Sequence, residues 1–407
     1  MRRVVVTGMS GVSALGHTWH EIKKNMQAGK TGTRHMPEWV DIDGMNTELG
    51  APIAPLDLEG RWPRKKTRSM GPVALYSVYA TEKALERAGL TGDPVLQGGR
   101  TGVAYGSSFG SPEPMKEFAD LLFKRSLRKI TATSYIRMMS HTTAVNIGLF
   151  LGITGRIIPS STACTSGSLA IGYATETIRA GIQDIMIAGG AEEICPSMAS
   201  VFDALYATST KNTEPHTTPR PFDANRDGLV IGEGAATLIL EEYEHAKKRG
   251  ADILAEVVGF GTNTDGNHVT QPSAPTIETA LRLALKDAGL KPEDIGFISG
   301  HGTATEFGDI AESIATNAVF KDQTPFHSLK SYFGHTLGAC GSLEAWLAIE
   351  MMRDRWFAPT ANLKKIDERC APLDHIMAEP RSLDVNTIMS NNFAFGGINT
   401  SLIFKKI

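Results

Sequence analysis

Residues 152–175, GITGRIIPSSTACTSGSLAIGYAT, decide the fold. They read as an apolar strand that enters a tight turn and leaves it as a helix, with Cys164 at the junction. The free N–H groups and dipole of the following helix favour a thiolate there. Ser160, Ser161, Thr162, Ala163, Ser166 and Gly167 leave room for a substrate, whereas a packing cysteine usually has larger apolar neighbours. An isolated intracellular cysteine is more often a small core residue. A thiol acts as a nucleophile only beside a base or stabilising dipoles, and histidines distant in sequence can meet it in the fold. Two in glycine-rich settings qualify: His301 in GHGTATEFGD and His335 in KSYFGHTLGACG.

Outward from Cys164, short apolar segments alternate with longer amphipathic ones. Val4–Thr7, the strand in GVAYGSSFG (102–110), Ile185–Ala188 before GGAEE, and the segments holding Ile298 and Phe326 read as strands. Helices are expected over Trp19–Met26, from Val73 through Leu85, within 112–129 and over 140–150, and 194–209 reads as a helix-rich cavity wall. The alternation indicates an α/β fold with largely parallel sheets. GMSGVSALG near the start reads as a flexible turn; it lacks the full GxGxxG pattern and an acidic residue placed for a ribose, so it is not assigned as a nucleotide site. Arg220, Asp223, Arg226 and Asp227 read as a structural ion-pair network. A second half begins near ADILAEVVGFGTNTDG, dividing the chain into 1–250 with the nucleophile and 251–407 with the histidines, in close contact.

With 407 residues, 42% of them hydrophobic, the chain can build a large core as two domains or one duplicated unit. A net charge of −3 gives no general push toward nucleic acid, yet local patches can recognise an acidic protein. RWPRKKTR places Arg61, Arg64, Lys65, Lys66 and Arg68 together, and LFKRSLRK adds Lys124, Arg125, Arg128 and Lys129. Such runs are commonly solvated faces; they also suit steering of an acidic carrier protein. Cys164, Cys195, Cys340 and Cys370 have neither metal-knuckle spacing nor the density of a disulfide framework, so reduced thiols in a cytoplasmic enzyme are the simpler account. The N-terminus reads as a first strand, and no uninterrupted span reaches membrane length.

Four motifs in order carry a resemblance: TACTSG at Cys164, HGTAT at 301–305, KSxxGHxLGAxG at 330–341 and NNFAFGG at 391–397. The sequence resembles the elongating β-ketoacyl-acyl carrier protein synthases of the synthase I and II type, over nearly its whole length. The resemblance implies a thiolase-like fold of two pseudo-repeated α/β halves in five αβαβα layers, normally a homodimer. It implies decarboxylative condensation of an acyl group held on Cys164 with malonyl-acyl carrier protein. Cys164 and Phe395 N–H groups would form the oxyanion hole, and His301 and His335 would donate to the malonyl carbonyl. Lys330 with Glu344 would support them, and Phe395 would gate the acyl pocket. Phe109 and Phe202 would wall that pocket, with a partner subunit's Tyr135 and Ile136 region helping to line it. No cofactor or metal is required; the substrates ride on the carrier's phosphopantetheine arm.

Glu306, Leu329, Tyr332-Phe333 and Cys340 depart from the commonest residues of these motifs. None removes a catalytic group, so they bear on chain length and on whether the pathway is fatty-acid, aryl-polyene or polyketide-like. A non-catalytic chain-length subunit, paired as a heterodimer with a related ketosynthase, is one alternative, but such subunits characteristically lose the nucleophile. A coenzyme A-dependent thiolase is another, and it would use a second cysteine in the C-terminal half. A priming synthase would carry asparagine where His335 stands.

Overall fold

The computed structural model describes residues 1–407. Eleven strands form one mixed sheet. In chain order they are β1 (Val4–Val12), β2 (Thr101–Gly106), β3 (Ile157–Ser160), β4 (Ile185–Glu192), β5 (Gly234–Glu242), β6 (Ala255–Thr264), β7 (Phe297–Ser299), β8 (Pro325–His327), β9 (Asp374–His375), β10 (Thr387–Phe393) and β11 (Ile398–Lys405). Their spatial order is β9-β8-β7-β10-β11-β6-β1-β5-β4-β2-β3. The run β3-β2-β4-β5-β1 repeats as β8-β7-β10-β11-β6, so each half uses its own strands in the same order. The halves join where β1 meets β6, through only Val5↔Glu256 and Val6↔Ala255.

Five helices place the layers: α1 (Pro72–Ala88), α2 (Ser166–Arg179), α3 (Ala274–Ala288), α4 (Glu306–Phe320) and α5 (Cys340–Asp354). α1 covers the outer face of the first half, and α3 that of the second, with α4 packed on α3. α2 and α5 lie against each other in the middle, and α5 touches both β5 and β10. The core follows this layering. Leu169, Leu238, Trp346 and Leu402 belong to the apolar cluster between the halves. Val78, Val103 and Ile239 lie in an outer cluster, and Leu281, Ile298 and Ile403 in the opposite one. Adjacent residues of β5, Leu238 and Ile239, therefore enter different cores, which is why the strand reads as a continuous apolar run without alternation.

Two expectations need correction. The sheet is mixed, not largely parallel: β2, β3 and β4 are parallel, but β5 runs antiparallel to both β4 and β1. The second half does likewise, because only Ala394–Gly397 separate β10 from β11, room for a hairpin and not for a crossover. The turn expected in GMSGVSALG also starts late, since β1 continues to Val12 with one irregularity between Val6 and Gly8. Gly8 serves close approach: a Cβ there would overlap the Ala84 carbonyl oxygen of α1. No helix is long and apolar enough to cross a membrane.

Candidate active site

Between β3 and α2 the chain turns with Ala163 at φ +49°, a left-handed conformation that costs a non-glycine residue energy and that a small side chain tolerates best. The hydroxyls of this stretch hold the turn. Ser166 Oγ accepts from Thr162 N–H at 2.9 Å and donates to the Ala163 carbonyl at 2.7 Å. Ser160 Oγ donates to the Ser166 carbonyl at 2.7 Å, and Thr165 Oγ1 to that of Thr162 at 2.8 Å. Residues expected to leave space for substrate therefore also stitch the elbow that presents Cys164.

The two histidines arrive from the second half. His301 follows β7, and its N–H donates to Glu312 Oε1 of α4 at 2.7 Å. His335 follows a short helix, Lys330–Phe333, and is anchored to the first half: its backbone N–H donates to the Val230 carbonyl at 2.7 Å, and the His335 carbonyl accepts from Gly232 N–H at 2.9 Å. His335 Nε2 lies 3.0 Å from Cys164 Sγ. The His301 and His335 ring centroids are 5.2 Å apart, edge to face.

Ring protonation follows from the partners. Leu337 N–H donates to His335 Nδ1 at 3.1 Å, so the ring proton sits on Nε2 and points at the sulfur. Lys330 Nζ lies 3.0 Å from His301 Nδ1, and an ammonium can only donate, so His301 also carries its proton on Nε2. Lys330 is ion-paired with Glu344, whose other oxygen accepts from Asn392 Nδ2 at 2.7 Å. Burial holds both histidines well below the usual imidazole value, with the Lys330 charge adding to it, so both rings are neutral. Burial alone would lower Lys330, and the Glu344 carboxylate raises it above its ordinary value, while burial raises Glu344 against the pull of Lys330 and Asn392.

The thiolate expected from the helix dipole is corrected by burial. Cys164 is 3% exposed, and desolvation pushes its pKa up to about 11, against the pull of Lys330 and of the backbone N–H groups of Phe395 and Cys164. His335 Nε2–H and the backbone N–H groups of Phe395 and Cys164 nonetheless suit the anion once the proton leaves. Sulfur and ring nitrogens lie within 4.8 Å of one another, close enough to hold an ion. Metal-bound histidines donate their second ring N–H outward, however, whereas both Nδ1 atoms here accept, which leaves Nε2 protonated and unfit as a ligand.

Cys164, His301 and His335 open into a cavity of about 470 Å³ that also reaches Phe202, Phe395, Thr303, Thr305 and Phe307. Phe395 and Phe202 stack at 5.0 Å between ring centroids. Phe109 packs in the same apolar cluster but outside the cavity lining. Tyr135 is exposed and Ile136 half-buried on the helix Ala132–Met138, and neither reaches the cavity of its own chain. The basic residues also lie outside it. Arg64, Lys65, Lys66 and Arg68 are exposed on or beside a single helical turn, Arg64–Thr67, while Arg61 is engaged by Glu82 and Lys124 and Lys129 by Asp120. Arg226 reaches across the halves to Asp309 and Asp367 and holds the Thr305 and Glu306 carbonyls, so the expected ion network is wider than its own turn.

Sequence reading missed Glu312 and Asn392. Asn392 lies in the NNFAFGG motif and bears an amide that carried no distinguishing signal; Glu312 sits about two helical turns past the HGTAT motif with nothing to tell it from a solvated helix residue.

The chain is similar to known proteins over its whole length. Residues 1–246 match the model of the β-ketoacyl synthase N-terminal domain, and residues 254–364 that of the C-terminal domain. 3-oxoacyl-[acyl-carrier-protein] synthase 2 of Vibrio cholerae is 38% identical over 415 residues, covering 100% of this chain and 99% of the relative. A β-ketoacyl synthase structure from Burkholderia phymatum is 57% identical, with a TM-score of 0.99 and full coverage of both chains. A chain of a type II polyketide synthase complex, of an acyl-carrier protein with its ketosynthase bound to the hexaketide, is 31% identical, with a TM-score of 0.89, covering 100% of this chain and 99% of that one. With matches to both domains and to relatives along its whole length, the chain belongs to the β-ketoacyl synthase family.

Proposed function

We propose that this chain is a condensing enzyme that joins an acyl group held on Cys164 to a malonyl unit, both delivered by acyl carrier protein. The observation that carries the reading is a cavity-facing sulfur 3.0 Å from the protonated nitrogen of His335, with His301 beside it.

In the first half-reaction Cys164 sulfur attacks the acyl thioester carbonyl. The carbonyl oxygen takes the developing charge toward the N–H groups of Cys164 and Phe395, and the pantetheine thiolate departs with the proton lost by Cys164. In the second, malonyl-carrier protein occupies the emptied cavity. Loss of CO₂ leaves an electron pair on the enolate, whose oxygen receives hydrogen bonds from Nε2–H of His301 and His335. The α-carbon then attacks the Cys164 thioester, the C–S bond breaks, and the departing thiolate takes one proton from solvent to return to the resting thiol under the β-ketoacyl product. Neutral rings serve here, because the enolate needs donors already in place and not a proton transferred outright.

Phe395 stacked on Phe202 forms the acyl gate in this reading, with Phe109 behind it. The exposed turn Arg64–Thr67 with Arg68, and the run from Lys124 to Lys129, form the carrier-docking faces. β3 is a sheet edge with Ile157 exposed, and a second copy or a related chain pairing there brings the Tyr135 region toward the other subunit's pocket. A thiolase reading fits less well, since the second C-terminal-half cysteine, Cys340, turns its thiol to the Cys164 carbonyl and not to the cavity.

Purified protein given acyl-carrier proteins of different length and unsaturation, plus malonyl-carrier protein, is expected to show an acyl adduct on Cys164 by intact-protein mass spectrometry and β-ketoacyl product. Cys164→Ala abolishes both while the thermal midpoint stays near that of the wild type. Unchanged condensation by that variant would remove Cys164 from the chemistry.

A further inference from the structure

One buried thiol takes no part in the steps above. Cys340, the first residue of α5, is 1% exposed and lies outside the cavity lining, so it does not touch substrate. Its S–H donates to the Cys164 carbonyl oxygen at 3.1 Å. The sulfur in turn lies 3.7 Å from Asn392 Nδ2, the same amide nitrogen that donates to Glu344 Oε2 at 2.7 Å. Asn392 belongs to β10, three residues before Phe395, so one short polar chain connects the Lys330–Glu344 pair, the strand that leads to the oxyanion loop, and the backbone of the nucleophile.

We propose that Cys340 and Asn392 form a positioning bracket that fixes the peptide plane of Cys164, and with it the aim of the sulfur at His335 Nε2–H and the backbone donors. This deepens the condensation reading and rests on it for its kinetic consequence only. The elbow needs such a tie, because Ala163 holds a left-handed backbone that relaxes if its neighbour is freed. The Cys340 thiol supplies the one hydrogen bond that the Cys164 carbonyl accepts, since the first backbone bond into α2 runs from Leu169 N–H to the Thr165 carbonyl. Burial raises the Cys340 thiol well above its ordinary value, which keeps the proton that the bond requires. An alanine at 340 lacks both the donor and the sulfur's volume, whereas a serine keeps a donor at that position. The bracket is therefore a feature of this chain's own departure from its motif and not of the motif itself.

The test compares wild type, Cys340→Ala and Cys340→Ser as full-length proteins. The first readout is the pH dependence of Cys164 alkylation by iodoacetamide, followed on the Cys164 peptide by mass spectrometry. The second is kcat and KM for condensation. Losing one net hydrogen bond lowers the alkylation rate and kcat about three- to tenfold, with KM for the carriers unchanged. The alkylation midpoint then moves up by about half a unit to one unit. Cys340→Ser, which restores a donor, recovers most of the loss. An alanine variant within twofold of wild type in both readouts overturns the bracket, and so does a serine variant no better than alanine. A wild type that alkylates at Cys164 but condenses nothing defeats the condensation reading, while the alkylation comparison still decides the bracket.

Discussion

At the scale of single residues, the site is a problem of burying polar groups without stranding any. Lys330 and Glu344 are both buried, and each offsets the cost of burying the other's charge. Removing one leaves an uncompensated charge in the core, which costs about 3–5 kcal/mol, whereas replacing both with apolar residues is far cheaper. Lys330→Met is therefore expected to lower unfolding stability by about that amount in urea titrations, and Lys330→Met with Glu344→Leu to recover most of it. Condensation stays lost in both, because His301 Nδ1 no longer meets an ammonium and its tautomer is released. A single variant as stable as wild type would mean that Glu344 is neutral in the folded protein. The reading of Cys164, His301, His335 and Lys330 from motifs anticipated these contacts. The tautomers did not follow from the motifs, since they depend on Leu337 N–H and on Lys330 reaching a particular ring nitrogen.

At the scale of elements, glycines set how closely the central layer packs. A Cβ on Gly190, near the end of β4, would overlap the Gly338 carbonyl oxygen, in the turn between His335 and α5. Neither partner is a flexible side chain, so backbone must move. Gly190→Ala is expected to cost about 1–3 kcal/mol by thermal or urea unfolding and to reduce condensation by displacing the turn that carries Leu337. An alanine variant of full activity would show that the turn tolerates the shift. The exposed helical turn Arg64–Thr67 bears on a different link, the encounter with the carrier. Arg64→Glu combined with Lys65→Glu is expected to raise KM for acyl-carrier protein about tenfold at low salt with kcat unchanged, and the difference to shrink as ionic strength rises. Equal KM values at low salt would remove this face from docking. The strand and helix types of most segments were legible from apolar periodicity. The extension of β1 through GMSGV was not, because its glycines signal a turn locally and serve helix contact in the fold.

At the scale of the whole molecule, burial bends the pH dependence of stability in two directions. Desolvation raises Glu193 to about 7, Asp309 to about 6 and Glu312 to about 8, so the folded protein holds protons that the unfolded chain releases, and stability is lost as pH climbs from about 4.5 through 8. Burial lowers His327 and His375 to about 4, and His301 and His335 well below their ordinary value. The unfolded chain then takes up protons that the folded one refuses, and stability falls as pH drops from about 6.5 toward 4. The thermal midpoint is expected to peak between about pH 5.5 and 7 and to fall by about 5 °C on either side, with Glu312→Gln flattening the alkaline side. A midpoint that climbs steadily to pH 9 would contradict this balance. By itself the sequence determined the family and the α/β class, because apolar periodicity and four ordered motifs are local properties that survive without a fold. It also singled out Cys164, His301 and His335, which the fold brings together, since their residue types and glycine-rich settings are written in the chain. Only the tertiary structure decided which ring nitrogens carry protons, that Cys164 rests as a buried thiol, and that Cys340 reaches its carbonyl. Those depend on solvent exclusion and on contacts between residues up to 176 positions apart, which no local pattern encodes.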